Sequence, residues 1–265
     1  SNLEQYYGLA RQLNRYGSVT VPDLPGFGGM QSFYKINEKP DIDQFADYLA
    51  TFVRWRYKRR RLTIVGHSFG FVIVTRMLQK YPDIAKKVDL LISIDGFSHK
   101  DDLGLSRAVA SVKLCAHWLI SYQPFAFALR TLAFNRFSLW LLYRRKYKKP
   151  IFKTLTQEQK RLLISSQTKR WRNTHIRTWA RTTISILNLN NCTQQLDMPL
   201  WQVVIIPTAS LRQTMVYQHL KVIFHDVYKL KASSKRPLII DSATPEDLKH
   251  LFLPALQRQL RKTGL

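Results

Sequence analysis

Gly66-His67-Ser68-Phe69-Gly70 sets a serine between two glycines, directly after the apolar run Leu62-Thr63-Ile64-Val65 and ahead of a helical pattern from Phe71 to Lys80. A serine on a sharp strand-to-helix turn is lifted clear of the sheet edge, where its hydroxyl can attack an acyl carbon. Neighbouring backbone must then pass close by, so glycine at the −2 and +2 positions leaves the room required. The helix that follows aims its first N–H groups and its dipole at the developing oxyanion, and the N–H of Phe69 is one such donor. With ten glycines in the chain, random placement yields roughly 0.02 pentapeptides of this kind, so the match carries weight. The bland alternative is a tight turn that merely uses small residues.

An alcohol is a poor nucleophile until a neighbouring base takes its proton, and losing that base costs a serine protease on the order of 10⁶ in rate. Asp95, the candidate acid, ends the strand Val88–Asp95, expected beside the strand that delivers Ser68, and His99, the candidate base, follows four residues on, within reach of a swing toward the serine. Against these roles stand a capping role for Asp95 and an exposed loop position for His99. Lys235, just beyond a strand ending at Ala232, offers a Ser–Lys dyad as another relay, because a crowded positive field lowers a lysine pKa. The other histidines read as structural: His67 points away by alternation, His117 and His175 fall on helical faces, and His219, His225 and His250 flank the last strand or lie in the last helix. No histidine pair has ligand spacing, and Cys115 and Cys192 are the only cysteines, so no metal is expected. Gly26-Phe27-Gly28-Gly29 lacks the Lys-Ser/Thr and the helix of a phosphate loop, and no cofactor is expected.

The elements that must position these groups follow from the hydrophobic pattern. Leu3, Tyr6, Leu9, Ala10 and Leu13 share one helical face, and Ser18–Asp23 reads as a short strand. Asp41 is the expected N-cap of a helix carrying Ile42, Phe45, Leu49 and Phe52. Strands at 62–65 and 88–95 bracket the helix after Ser68; further strands are expected at Trp201–Ile206 and Val227–Ala232, with a helix near Met215–Ile223 between them. Thr244-Pro245-Glu246 should open a final helix. Alternating strands and helices argue for an α/β fold, a mostly parallel sheet with flanking helices. Between residues 97 and 196 the alternation stops and only helices are expected, so the chain divides into a core of 1–96 and 197–265 and an inserted helical cap of 97–196.

The balance of 42 Lys+Arg against 17 Asp+Glu gives a net charge of +25, which attracts polyanions. Two cysteines exclude a disulfide scaffold and point to free thiols in a reducing, cytoplasmic setting. No apolar run is long enough to span a bilayer, and Glu4, Arg11 and Arg15 within a helical pattern argue against a cleavable signal. Bases interleave with aromatics between Arg130 and Arg181. The first reading is a cap whose aromatics form its own core beneath solvated bases; the second is an anionic membrane surface and a lipid-like substrate; nucleic acid comes third, with no nucleic-acid fold signature beside it.

Val21-Pro22-Asp23-Leu24-Pro25-Gly26-Phe27-Gly28, Val65-Gly66-His67-Ser68-Phe69-Gly70, the strand to Ile94-Asp95, and Thr244-Pro245-Glu246-Asp247-Leu248 together resemble an α/β-hydrolase of the cap-bearing esterase and lactonase type. The resemblance implies a mostly parallel sheet, a helical lid over the site, Ser68 as nucleophile and a carboxylic ester or related acyl substrate. On the same likeness, the chain opens in the family's first helix, without the strands and the His-Gly loop that precede it there. One of those strands lies, in the family, between the strand of Val19 and that of Ile64, so on this likeness either the chain is a fragment or the sheet closes up differently. The family's usual acid and histidine fall at Pro207–Ser210 and Ser233–Pro237, which hold neither residue type. A serine hydrolase and a catalytically degenerate binding module are therefore both open readings.

Overall fold

The structure, a computed structural model, describes residues 3–146, 156–206, 213–233 and 253–263. Four parallel strands form one sheet in the order β1-β2-β3-β4, with β1 at Leu62–His67, β2 at Val88–Ile94, β3 at Leu196–Ile206 and β4 at Phe224–Ser233. The register runs from Leu62 opposite Val88 to His67 opposite Ile94. Helices cover both faces, as a parallel sheet requires. On one side lie α1 (Leu3–Leu13) and α11 (Pro254–Thr263); on the other, α2 (Ile42–Arg56), α3 (Phe69–Lys80) and α10 (Gln213–Ile223).

β2 shows why the fold takes this form. Leu90, Ile92 and Ile94 pack against Leu9 of α1 and Leu256 and Leu260 of α11, whereas Leu91 faces Phe71, Met77 and Leu220 on the opposite side. Both faces of the strand are buried, so it reads as a near-continuous apolar run rather than an alternation. Each such side chain contributes about 1.5–3 kcal/mol on burial.

Asp41 caps α2 as expected: its carboxylate accepts from the N–H of Gln44, whose side-chain oxygen accepts from the Asp41 N–H. Acids on α2 then clamp bases on α3, Asp43 to Arg76 at 2.6 Å and Asp47 to Lys80 at 2.6 Å. Arg54 grips Asp83 with two hydrogen bonds, of 2.8 and 3.1 Å. This fixes the helix that begins at Ser68 against its neighbour.

Between β2 and β3 the described residues form α5 (Arg107–Ile120), α6 (Gln123–Leu132), α7 (Arg136–Lys146), α8 (Gln157–Arg172) and α9 (Ile176–Leu187). A short helix, α4 (Pro82–Ala85), precedes β2. A 3-10 turn at Lys100–Leu103 and an antiparallel bridge from His99 to Asn190 tie the start and end of this region together.

Two expectations change. Ser18–Asp23 joins no ladder among the described residues, and a strand exists only where a neighbour takes its hydrogen bonds. β1 is accordingly an edge strand, and Val19, Val21, Ile64 and Val65 line one cavity, so the sheet has not closed up. β3 begins at Leu196 rather than Trp201 and runs through Pro199, which has no N–H to give a ladder. The helix start at Thr244-Pro245-Glu246 lies outside the described residues; the last described helix begins at Pro254.

Candidate active site

Ser68 follows β1 directly and occupies the N-cap position of α3 with φ 49° and ψ −118°. That backbone region strains any residue with a Cβ. Its N–H donates to the carbonyl of Ile94 on β2 at 3.0 Å, and its own carbonyl accepts from Phe71 at 3.0 Å. Serine at an N-cap ordinarily turns its hydroxyl back onto the first helical N–H groups. Here it makes no such bond, and Ser68 instead lines a cavity. Among the described residues the hydroxyl has no hydrogen-bond partner. Phe69 is the first residue of α3, where backbone N–H groups lack an intrahelical acceptor, and its ring packs edge-on against Phe45 at 5.8 Å.

The two glycines are not equivalent. A Cβ on Gly66 would sit 2.6 Å from the Cα of Phe71, so the −2 position must be glycine. A Cβ on Gly70 would meet nothing within 4 Å, so at +2 the steric argument does not hold in this chain. The reason is local: Gly70 borders the cavity rather than packed backbone.

Asp95 follows β2 by one residue, with φ 46°, and its N–H donates to Val203 at 3.0 Å. Extending the β1–β2 register by one step sets Ser68 opposite Asp95, so two left-handed turns stand side by side at the carboxyl ends of adjacent strands. Asp95 is only 8% exposed. Among the described residues no contact joins Ser68 to His99. Its Nδ1 accepts from the N–H of Asp101, and its ring lies 4.5 Å from that of His219. Lys235 lies outside the described residues, as do Pro207–Ser210 and Ser234–Pro237.

The cavity has a volume of about 1470 Å³ and is mostly apolar. Tyr6, Leu9 and Leu13 of α1 line it, with Ile64 and Val65 of β1, Ser68, Phe69 and Ile73 at the turn and on α3, and Trp171 and Trp179 from α8 and α9. Trp171, Trp179 and Phe134 form an aromatic cluster, with Phe134 stacked on Trp171 at 4.5 Å and the two indoles edge-to-face at 5.2 Å. The first reading of the 97–196 aromatics thus describes these three rings. His67 donates to or accepts from the hydroxyl of Tyr6 through Nδ1 at 3.1 Å, and His117 bonds the Lys113 carbonyl, both structural contacts.

One polar cluster escaped the sequence. Asp102 is fully buried; its Oδ2 accepts from the N–H groups of Ser98 and His99 at 2.9 Å each, and its Oδ1 meets Nδ1 of His219 at 2.6 Å. No spacing signal joins residues 117 positions apart. The arrangement resembles an acid–base pair, yet its bonds close the loop after β2 onto α10. His175 caps α9, accepting from the Thr178 N–H, and burial, then Arg177, Arg130 and Lys35, hold its pKa below the ordinary imidazole value. Among the described residues no cluster of three His, Cys, Asp or Glu could hold a metal ion.

Parallel strands flanked by helices, with a strained serine turn at the sheet's carboxyl end, define an α/β-hydrolase architecture. The chain belongs to the α/β hydrolase fold family, whose model matches residues 1–206. It is 31% identical over 121 residues to abhydrolase domain-containing protein abhd-5.2 of Caenorhabditis elegans, a stretch covering 44% of this chain but only 26% of that protein. Among solved structures it is similar to a thermophilic esterase from Thermogutta terrifontis (TM-score 0.64, 15% identity, 100% of this chain and 87% of that one). It is likewise similar to a hydrolase from Oleispira antarctica (TM-score 0.67, 11% identity, 98% and 87%). At these identities the likeness shows the fold alone.

Proposed function

We propose that this protein is a serine hydrolase of carboxylic esters with a lipid-like acyl chain. The observation that carries the reading is Ser68: it holds the N-cap of α3, forgoes the cap bond, adopts a strained φ and borders a large, mostly apolar cavity. Strain of this kind costs on the order of 1–3 kcal/mol and is retained where a function requires it. In the reaction, Ser68 Oγ bonds the ester carbonyl carbon and gives up its proton to a base. The oxyanion accepts from the Phe69 N–H, and the C–O bond to the alcohol breaks as the proton returns to the leaving oxygen. Water then releases the acid from acyl-Ser68. Asp95, one register step from Ser68, and Lys235 are the proposed proton acceptors, with His99 held by its contacts to Asp101 and His219.

Turnover of p-nitrophenyl esters of graded chain length tests this. Wild type should hydrolyse the longer acyl esters, and Ser68→Ala should fall to the uncatalysed rate; equal rates in the two proteins would reject the reading. Asp95→Asn or Lys235→Ala, whichever removes the base, should lower turnover by about 10²–10⁴-fold. The second reading, a binding module on a degenerate hydrolase fold, draws on Ser68 Oγ having no bonded base among the described residues. Under it, all four proteins are equally inert.

A further inference from the structure

α5 and α6 are apolar helices, and together with α7 they bury little among the described side chains. α5 has no buried residue, α6 only Ala126, and in α7 Leu139 is buried. Trp118, Phe125, Phe127, Leu132, Phe137 and Leu142 on these helices are between 51% and 73% exposed. α9, in the same region, buries Ile176, Ala180 and Leu187 normally, so the exposure belongs to α5–α7 rather than to the whole helical region. A monomer seldom leaves an apolar patch of this extent bare, and such a patch marks an interaction site.

Charge decides what it meets. Residues 103–157 hold ten Lys and Arg and not one Asp or Glu. Elsewhere four acids sit in local pairs, Asp43 with Arg76, Asp47 with Lys80, Asp83 with Arg54 and Asp89 with Arg61. A second copy docking through the same patch would set cation against cation, since a two-fold interface brings like surfaces together. Exposed aromatics flanked by long bases match the boundary of an anionic bilayer: rings and leucines enter the acyl–headgroup zone, and Arg107 and Lys113 keep their charges at the phosphates. No helix among the described residues is long and apolar enough to cross a membrane, so such contact would be in the plane of the interface.

We propose that α5–α7 form a docking face for anionic lipid bilayers. It goes beyond the hydrolase reading and does not depend on it, because Ser68→Ala must bind as wild type does. The test is sedimentation of the whole chain with vesicles of phosphatidylcholine alone, or of equal parts phosphatidylcholine and phosphatidylserine. Binding to the mixed vesicles should be at least about tenfold tighter and should weaken about tenfold as salt rises well above physiological strength. Phe127→Ser with Leu132→Ser, both exposed and so harmless to folding, should reduce binding about tenfold or more, and Arg107→Glu with Lys113→Glu should abolish the preference for phosphatidylserine. Three results would overturn the proposal: equal or absent binding to both vesicles; a dimer in sedimentation equilibrium that Phe127→Ser with Leu132→Ser dissolves; or binding to a single-stranded oligonucleotide that these changes weaken while vesicle binding is unmoved.

Discussion

Gly66 and Gly70 flank one serine but face different surroundings, and this separates packing from helix propensity at the turn. Gly66→Ala forces a methyl against the Phe71 backbone, so it should destabilise the protein by about 1–3 kcal/mol in chemical denaturation. Gly70→Ala adds a better helix former beside open space and should be neutral or stabilising by up to about 1 kcal/mol. A neutral Gly66→Ala would mean that the turn is not built as described. The same residue scale shows what the sequence could carry. The spacing of Gly66, Ser68 and Gly70 located the turn because a strained backbone leaves a compositional mark. The partners of His99 and His219 left none, since a contact across 117 positions depends on how loops close rather than on any local pattern.

Elements are held by caps and clamps whose chemistry can be titrated. His175 is neutral when it accepts the Thr178 N–H, and its pKa is depressed in the fold. A depressed pKa contributes stability above the unfolded value of 6.5 that is lost as pH falls through the lower folded value. Thermal melts between neutral pH and about pH 5 should therefore show a drop for wild type, part of which His175→Asn removes while keeping a cap worth about 1 kcal/mol. An unchanged pH profile in His175→Asn would contradict the capping role. Asp102 closes the loop after β2 through three donors. Asp102→Ala should cost about 3 kcal/mol or more, because it strands buried N–H groups and a histidine. The helices were legible from their period of 3.6, and the strands of the sheet from short apolar runs bounded by turn residues. Whether Ser18–Asp23 is a strand was not, because pairing is a property of the neighbour and not of the segment.

At the scale of the molecule, charge and apolar surface are sorted rather than mixed. Acids lie where they clamp α2, α3 and the strand ends, and residues 103–157 hold none. The net charge of +25 was plain in the composition, but its meeting with bare aromatics on α5–α7 was not, since helical periodicity identifies an apolar face without saying what covers it. Trp171 and Trp179 line the cavity, with Phe134 stacked on Trp171, whereas Phe125, Phe127 and Phe137 stayed outside. α8 and α9 help line the cavity that holds Ser68, and α5–α7 in the same helical region carry the outward aromatics.

Intact-mass analysis after exposure to a fluorophosphonate reaches the hydrolase reading most directly, because it asks only whether the Ser68 hydroxyl is nucleophilic. The expected result is one adduct per chain, mapped to the peptide bearing Ser68 and missing in Ser68→Ala. A wild-type protein that stays unmodified, or an adduct that persists in Ser68→Ala, would contradict it.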